Sequence, residues 1–270
     1  MLVTDLQAIL MAAGHGTRLH PFTKYCPKCL MPIHGKPLLE YWLCILKRIG
    51  CRRVLVNTHH HRDLVQAFLS QDKFTGWVTT TIEKILLGTA GTIRENANWI
   101  KKETLLMAHA DNWCHANFDE FVHFHFEERP ADSLITMMTF DTLTPKSCGI
   151  VEVDQRGVVQ EFHEKVKDPP GNMANGAIYL IEPEVVNWIT DNPRVKDFSS
   201  DVLPNFLGRI ATWHNATIHR DIGVPRSLLQ SQFDPAPKSC WPYSGKWAEG
   251  FQKNLVHTVL RNSLRRDLND

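Results

Sequence analysis

An apolar run, Leu6 to Ala13, breaks into Gly14-His15-Gly16-Thr17-Arg18, and this is where the chain's chemistry is most concentrated. Two glycines one residue apart let the backbone turn tightly and present bare N–H groups to an anion. Thr17 adds a hydroxyl donor, and Arg18 adds a planar fork of donors that fits phosphate oxygens. Lys28 supplies a second cation shortly afterwards. A strand, a glycine loop, an Arg and a Lys together make a triphosphate-binding design. It is not a Walker loop, since no Gly-Lys-Ser/Thr follows a four-residue spacer, and Leu19 stands where the dinucleotide fingerprint needs glycine. Further along, the buried-looking run Leu105 to Ala108 ends in His109-Ala110-Asp111-Asn112. A carboxylate at such a strand end is either a helix cap or a metal ligand. Glu164-Lys165, taken alone, reads as a solvated pair.

Two other clusters invite a metal or redox reading. Cys26-Pro27-Lys28-Cys29 resembles a dithiol or half a zinc site, but no second Cys-x-x-Cys exists, so thiols that flank Lys28 by chance are favoured. His59-His60-His61 reads as a polar turn rather than a metal site, since no matching cluster lies elsewhere.

The elements that must position these residues alternate. Leu6–Ala13, Val54–Val56, Trp77–Glu83, Leu105–Ala108 and Leu134–Phe140 read as strands. Helical spacing covers Pro37–Ile49, with Pro37 suited to a first turn and Gly50 to a stop, and again Asp63–Leu69, the stretch from Gly88-Thr89 to Trp99, and Phe118–Glu128. This alternation argues an α/β, doubly wound parallel sheet, with ligands beyond the carboxyl ends of the strands, where the Gly14 and Gly88 loops both fall. Gly149–Asp154 and Val158–Glu164 flank Gln155-Arg156-Gly157 as a hairpin. Pro183–Thr190 is a short helix and Thr217–Arg220 the last strand. From Asp234 the composition shifts, and Trp247–Leu268 has helical spacing with a basic end. The expected division is therefore a domain over 1–233 and a helical tail over 234–270 that packs on its own core or on a second subunit.

With 270 residues the chain can bury a substantial core. A formal net charge of +1 favours neither nucleic acid nor an anionic membrane as partner. No apolar run reaches the length of a membrane span, and Met1–Asp5 lack the features of a signal peptide. Seven cysteines without a disulfide framework fit a reducing cytoplasm.

The string from Gly14 to Lys28 resembles the signature G-x-G-T-R-L-x-P-x-T-x-x-x-P-K of the sugar-1-phosphate nucleotidyltransferases; Gly14, Gly16, Thr17, Arg18, Leu19, Pro21, Thr23, Pro27 and Lys28 meet every fixed position. The resemblance covers about residues 6–230, and no hexapeptide repeat for a left-handed β-helix follows. It implies a Rossmann-like, three-layer fold with a mostly parallel sheet and a small antiparallel sugar-binding portion. It implies an Mg²⁺-dependent reaction, with Mn²⁺ as substitute, in which an NTP and a sugar 1-phosphate give an NDP-sugar and pyrophosphate. By resemblance, Asp111 and Asp221, the latter in Asp221-Ile222-Gly223, are the metal aspartates, and both are expected to end buried strands. Arg18, Lys28 and Lys165 complete the catalytic set. Ala12, Ala13, Gly14, Gly16, Thr17, Glu83, Gly88 and Thr89 join Arg18 and Lys28 around the nucleotide. Asn112, Gly149, Glu164, Lys165, Asn175 and Gly176 hold the sugar phosphate, the last two within Asn175-Gly176-Ala177-Ile178-Tyr179. His109 departs from the glycine that many members carry there.

The family places its base pocket where the Trp77–Glu83 strand ends. A carboxylate accepts but does not donate when ionised, which suits the adjacent N1–H and N2–H of guanine and not the carbonyls of uracil or thymine. GTP with a mannose- or heptose-type 1-phosphate is the leading expectation. A uridylyl- or thymidylyltransferase is the alternative, and a non-catalytic nucleotide-sugar-binding relative comes after it. Backbone groups of Ala12, Gly88 and Thr89 are the other way of choosing the base, should Glu83 turn toward Lys84 or Arg94.

Overall fold

The computed structural model describes residues 6–100 and 102–267. The readings of Met1–Asp5 and of Leu268 lie outside the described residues. The strands in chain order are β1 Leu6–Met11, β2 Pro32–Ile33, β3 Lys36–Pro37, β4 Val54–Thr58, β5 Val78–Ile82, β6 Thr104–His109, β7 Asn112–Cys114, β8 Ile135–Asp141, β9 Gly149–Val153, β10 Val159–Glu164, β11 Met173–Ile181, β12 Ile210–His214 and β13 His219–Asp221. The protein is a mixed α/β fold with a central, mostly parallel sheet.

The chain divides into two units. The first holds the described residues of 6–9, 87–108 and 116–219, and the second holds 10–86, 109–115 and 220–267. Within the first unit the strand order is β10-β9-β11-β6-β1, with β8 between β11 and β12. β8 and β12 are parallel, while the pairings of β11 with β6, β8 and β9, and of β10 with β9, are antiparallel. The β9–β10 hairpin turns at Gly157, whose φ of 74° is one that glycine adopts without penalty. The second unit holds β4 and β5. β4 pairs with β5 in parallel register from Val54↔Val78 to Thr58↔Ile82.

Burial explains the element types. β1 and β4 are buried at every position, as the apolar runs require of interior parallel strands. β5, Val-Thr-Thr-Thr-Ile, is only half-buried and closes the strand order on that side. The helix Leu38–Arg48 buries Leu38, Leu39, Tyr41, Trp42, Leu43 and Leu46, and ends before Gly50 at φ 74°. Pro37 sits one place earlier than expected, as the extended residue before the first helical one. The single helix expected over Phe118–Glu128 is an α-helix only over Phe118–His123, and then widens into a π-turn over Phe124–Glu128. There His125 is buried, between the hydroxyl of Thr136 at 2.7 Å and the carboxylate of Glu182 at 2.9 Å.

Residues 234–267 belong to the second unit and pack on its own aromatic side chains. Trp247 lies against Phe68 and Phe251, and Trp241 against Phe74 and Trp77. Cys44 and Cys240 are joined as a disulfide, which corrects the reading of the cysteines as lacking any such pairing. Both half-cystines looked unrelated in sequence because they are 196 residues apart. Among the described residues, no helix is long and apolar enough to cross a membrane.

Candidate active site

The glycine loop follows β1 in the second unit. Gly16 has φ 66°, in the left-handed region, and its carbonyl accepts from the Thr23 hydroxyl at 3.1 Å. A Cβ at Gly16 would lie 2.8 Å from Cγ of Lys28 and 2.9 Å from Cγ2 of Thr23. The glycine is therefore there to let the Lys28 stem pass. Gly14 is different: a Cβ there meets nothing within 4 Å, so packing within the chain does not require the glycine.

Lys28 Nζ donates to Asp111 Oδ2 at 2.7 Å and stands 3.9 Å from Asp221 Oδ1. Arg18 reaches Asp221 at 3.8 Å, with its side chain 71% exposed. One ammonium thus serves two carboxylates. Burial alone would raise the Asp111 carboxyl, but the Lys28 cation beside it, helped by His109, holds it below the ordinary value. Burial and then the Asp111 carboxylate push Asp221 the other way, against Lys28 and Arg18. Asp111 faces Lys28 and caps no described helix.

Asp221 ends β13 as expected, but that strand is not buried: its residues are half-buried or exposed, and the Asp221 side chain is 55% exposed. The Ile222 N–H donates to the Asp111 carbonyl at 3.0 Å, and a Cβ at Gly223 would strike the Asp221 carboxylate at 2.5 Å.

Glu83 is buried just after β5. Its Oε1 accepts from Asn57 Nδ2 at 2.8 Å, and Asn57 Oδ1 accepts from the Ala12 N–H at 2.6 Å. Asn57 was not singled out from sequence. The available signal was an asparagine inside the buried run Val54–Thr58, since a buried amide must find partners. The His59 ring bonds to the Glu83 carbonyl at 2.8 Å and lies 5.1 Å from the ring of His15, which brings the histidine turn against the glycine loop. Among the described residues these histidines form no metal-holding group; Glu152, Glu161 and His163 are the one cluster of three that could. Cys26 and Cys29 are both buried, and burial pushes the Cys29 thiol up to about 12.

In the first unit, Gly88 (φ 77°) opens the helix Thr89–Glu95, and a Cβ there would overlap the Lys196 carbonyl. The Thr89 hydroxyl accepts from the Phe198 N–H at 2.6 Å and meets Asp197 at 3.2 Å. Lys165 Nζ pairs with Glu164 at 2.8 Å, is 64% exposed, and has φ 51°, a conformation that a lysine rarely holds. Gly149 stands opposite Glu164 in register, where a Cβ would meet the Phe162 ring at 2.6 Å and the Glu164 carboxylate at 2.7 Å. Asn175 donates to Tyr179 Oη at 2.6 Å and accepts from the Ala177 N–H at 2.9 Å, so its amide shapes its own strand. Gly176 packs against the Met138 carbonyl. Asn112 and Ala13 are buried in the second unit, and the Asn112 carbonyl accepts from Trp42 Nε1 at 2.8 Å.

The profile of the family described as nucleotidyl transferase matches residues 7–235. The chain belongs to the nucleotidyl transferase family. It is 27% identical over 239 residues to the mannose-1-phosphate guanylyltransferase of Mycobacterium tuberculosis, covering 87% of this chain and 66% of that protein. It is 29% identical over 229 residues to the D-glycero-alpha-D-manno-heptose 1-phosphate guanylyltransferase of Campylobacter jejuni, covering 82% of this chain and 96% of that one. The crystal structure of HddC from Yersinia pseudotuberculosis shares the fold, with a TM-score of 0.70 and 23% identity over 84% of this chain and 98% of that chain. The chain thus spans just under two thirds of the first relative and nearly all of the second. In this nucleotidyl transferase Lys28, a cation of the glycine-loop string, stands against the two aspartates.

Proposed function

We propose that this nucleotidyl transferase condenses an NTP with a sugar 1-phosphate to give an NDP-sugar and pyrophosphate. A phosphate oxygen of the sugar attacks the α-phosphorus in line, the α,β-anhydride bond breaks, and pyrophosphate leaves with that electron pair. A phosphate dianion is already a competent nucleophile, so positioning and cations carry the catalysis. The observation that carries the reading is the convergence of Lys28, Asp111 and Asp221 at the glycine loop.

Gly14, Gly16, Thr17 and Arg18 hold the β- and γ-phosphates. The exposure of Arg18 and the open space at Gly14 support this role. Lys28 neutralises charge near the α-phosphate. Lys165 takes the incoming sugar phosphate, with Asn112, Gly149, Glu164, Asn175 and Gly176 shaping the sugar's surroundings. Asp111 and Asp221 are carboxylate oxygen donors that meet at one ammonium beside the glycine loop, and oxygen donors of this kind fit a hard divalent cation. Asp111 and Asp221 would hold Mg²⁺, or Mn²⁺ in its place. Such an ion supplies charge neutralisation and phosphate orientation when bound.

GTP and a mannose- or heptose-type 1-phosphate are the leading substrates. The two guanylyltransferase relatives and the Glu83 carboxylate support that choice. The bond from Asn57 to Glu83 Oε1 favours a second reading, in which backbone groups of Ala12, Gly88 and Thr89 choose the base and UTP or dTTP is used. The test is pyrophosphate release with GTP, UTP, dTTP and CTP against mannose, manno-heptose and glucose 1-phosphates. GTP with a manno-configured sugar is the expected pair. Preference for UTP or dTTP moves the assignment to the second reading, and no release with any pair refutes the enzyme.

A further inference from the structure

The reading of Asp111 and Asp221 as cation ligands leaves open what fixes the distance between them, since one sits in a turn and the other on a strand of three residues. The answer lies at Asp234, a buried carboxylate that the proposed reaction does not use. Its Oδ2 accepts from Trp113 Nε1 at 3.0 Å and from Arg220 Nε at 2.8 Å, and its Oδ1 accepts from Arg220 Nη2 at 3.0 Å. Trp113 follows Asp111 by two residues on β7, and Arg220 immediately precedes Asp221 on the paired strand β13.

We propose that Asp234 is a positioning residue that sets Asp111 and Asp221 for the cation; the inference rests on reading those two carboxylates as its ligands. Neighbouring side chains on a strand point to opposite faces, so anchoring Arg220 on one face fixes the backbone from which Asp221 projects on the other. The Arg220 fork meets the Asp234 carboxylate with two parallel bonds, the pairing with the strongest directional preference. Trp113 is held edge-on to Tyr41 at 5.0 Å, and the Asp234 carbonyl is itself bonded to His34 Nε2 at 2.7 Å. The clamp therefore has little freedom. Residues that orient metal ligands commonly weaken metal affinity by about 10- to 100-fold when they are removed.

The test is titration with Mn²⁺ alone, followed by the electron paramagnetic resonance of the free ion, on the full chain, with circular dichroism to confirm folding. Asp234→Ala should raise the Mn²⁺ Kd at least about tenfold. Asp234→Asn keeps an acceptor for Trp113 but loses the charge facing Arg220, and should raise it severalfold. Trp247→Ala removes the tail's contact with Phe68 without touching the clamp, and should leave the Kd within about twofold. If Asp234→Ala does not fold, Asp234→Asn decides. A folded Asp234 variant with wild-type affinity overturns the inference, as does an equal loss in Trp247→Ala, because either makes Asp234 ordinary packing. Wild-type protein that binds no Mn²⁺, or Asp221→Asn protein that binds it as wild type does, refutes the cation reading itself.

Discussion

The two glycines of the loop make opposite predictions. At Gly16 the backbone is left-handed, which costs a residue with a Cβ about 1–2 kcal/mol, and the added carbon would lie 2.8 Å from the Lys28 stem and 2.9 Å from Thr23. Lys28 must give way by several tenths of an ångström, and its ammonium moves off Asp111. Gly16→Ala should therefore lower the melting midpoint by roughly 2–8 °C, taking about 2–4 °C per kcal/mol for a chain of this size. It should also reduce turnover on the order of a hundredfold, the usual penalty for displacing a positioning group by about 1 Å. At Gly14 the backbone is not left-handed and nothing lies within 4 Å, so Gly14→Ala should melt within about 1 °C of wild type. Its cost should fall on the nucleotide, as a higher KM for NTP, because a methyl group would occupy the approach that phosphate oxygens need. Differential scanning fluorimetry and pyrophosphate release with each substrate varied in turn measure both. Unchanged turnover in Gly16→Ala refutes the idea that this glycine makes room for Lys28. Lost stability in Gly14→Ala refutes the claim that its smallness serves a ligand.

Asp221→Asn should trade activity for stability. The folded-state pKa of Asp221 is raised by burial and by Asp111, so its charge opposes folding above the unfolded value of about 3.9. The variant should melt higher than wild type at pH 7, with the difference gone below about pH 4, while turnover falls on the order of a thousandfold; a lower midpoint at pH 7 contradicts this. Lys165→Ala should raise the KM for sugar 1-phosphate with little change in the KM for NTP, and the reverse pattern would move Lys165 to the nucleotide. Iodoacetamide at pH 8 should leave Cys26 and Cys29 unmodified in folded protein, because burial keeps both thiols protonated; mass spectrometry of the peptides reads the result, and rapid labelling would contradict their burial.

The strand and helix periods were legible because β1, β4 and the helix Leu38–Arg48 carry apolar residues at the spacing that burial demands. The glycine loop was legible as a string of residue types. The conformation of its two glycines was not, since the need for Gly16 comes from Lys28, twelve residues on. Glu83 was legible as a strand-end carboxylate, but its bond to Asn57 depends on the β4–β5 register, which no local pattern encodes. β13 was expected to be buried because Thr217–Arg220 reads as a strand; it is a short pair with β7, held from the side by Asp234. The pairing of Cys44 with Cys240 likewise arises from the way the tail returns to the second unit.

The second unit is assembled from three stretches, 10–86, 109–115 and 220–267. During synthesis the glycine loop and Lys28 precede Asp111, and Asp221 and its clamp at Asp234 are complete only after roughly 150 further residues beyond Leu86. At about 5–20 residues per second that is an interval of roughly 7–30 s. Through it Phe68 and Phe74 lack Trp247 and Trp241, their tail partners, and Lys28 gains Asp111 well before Asp221. The aromatic packing around Phe68 and Phe74 and the second carboxylate facing Lys28 thus both wait on residues synthesised after the 116–219 stretch of the first unit.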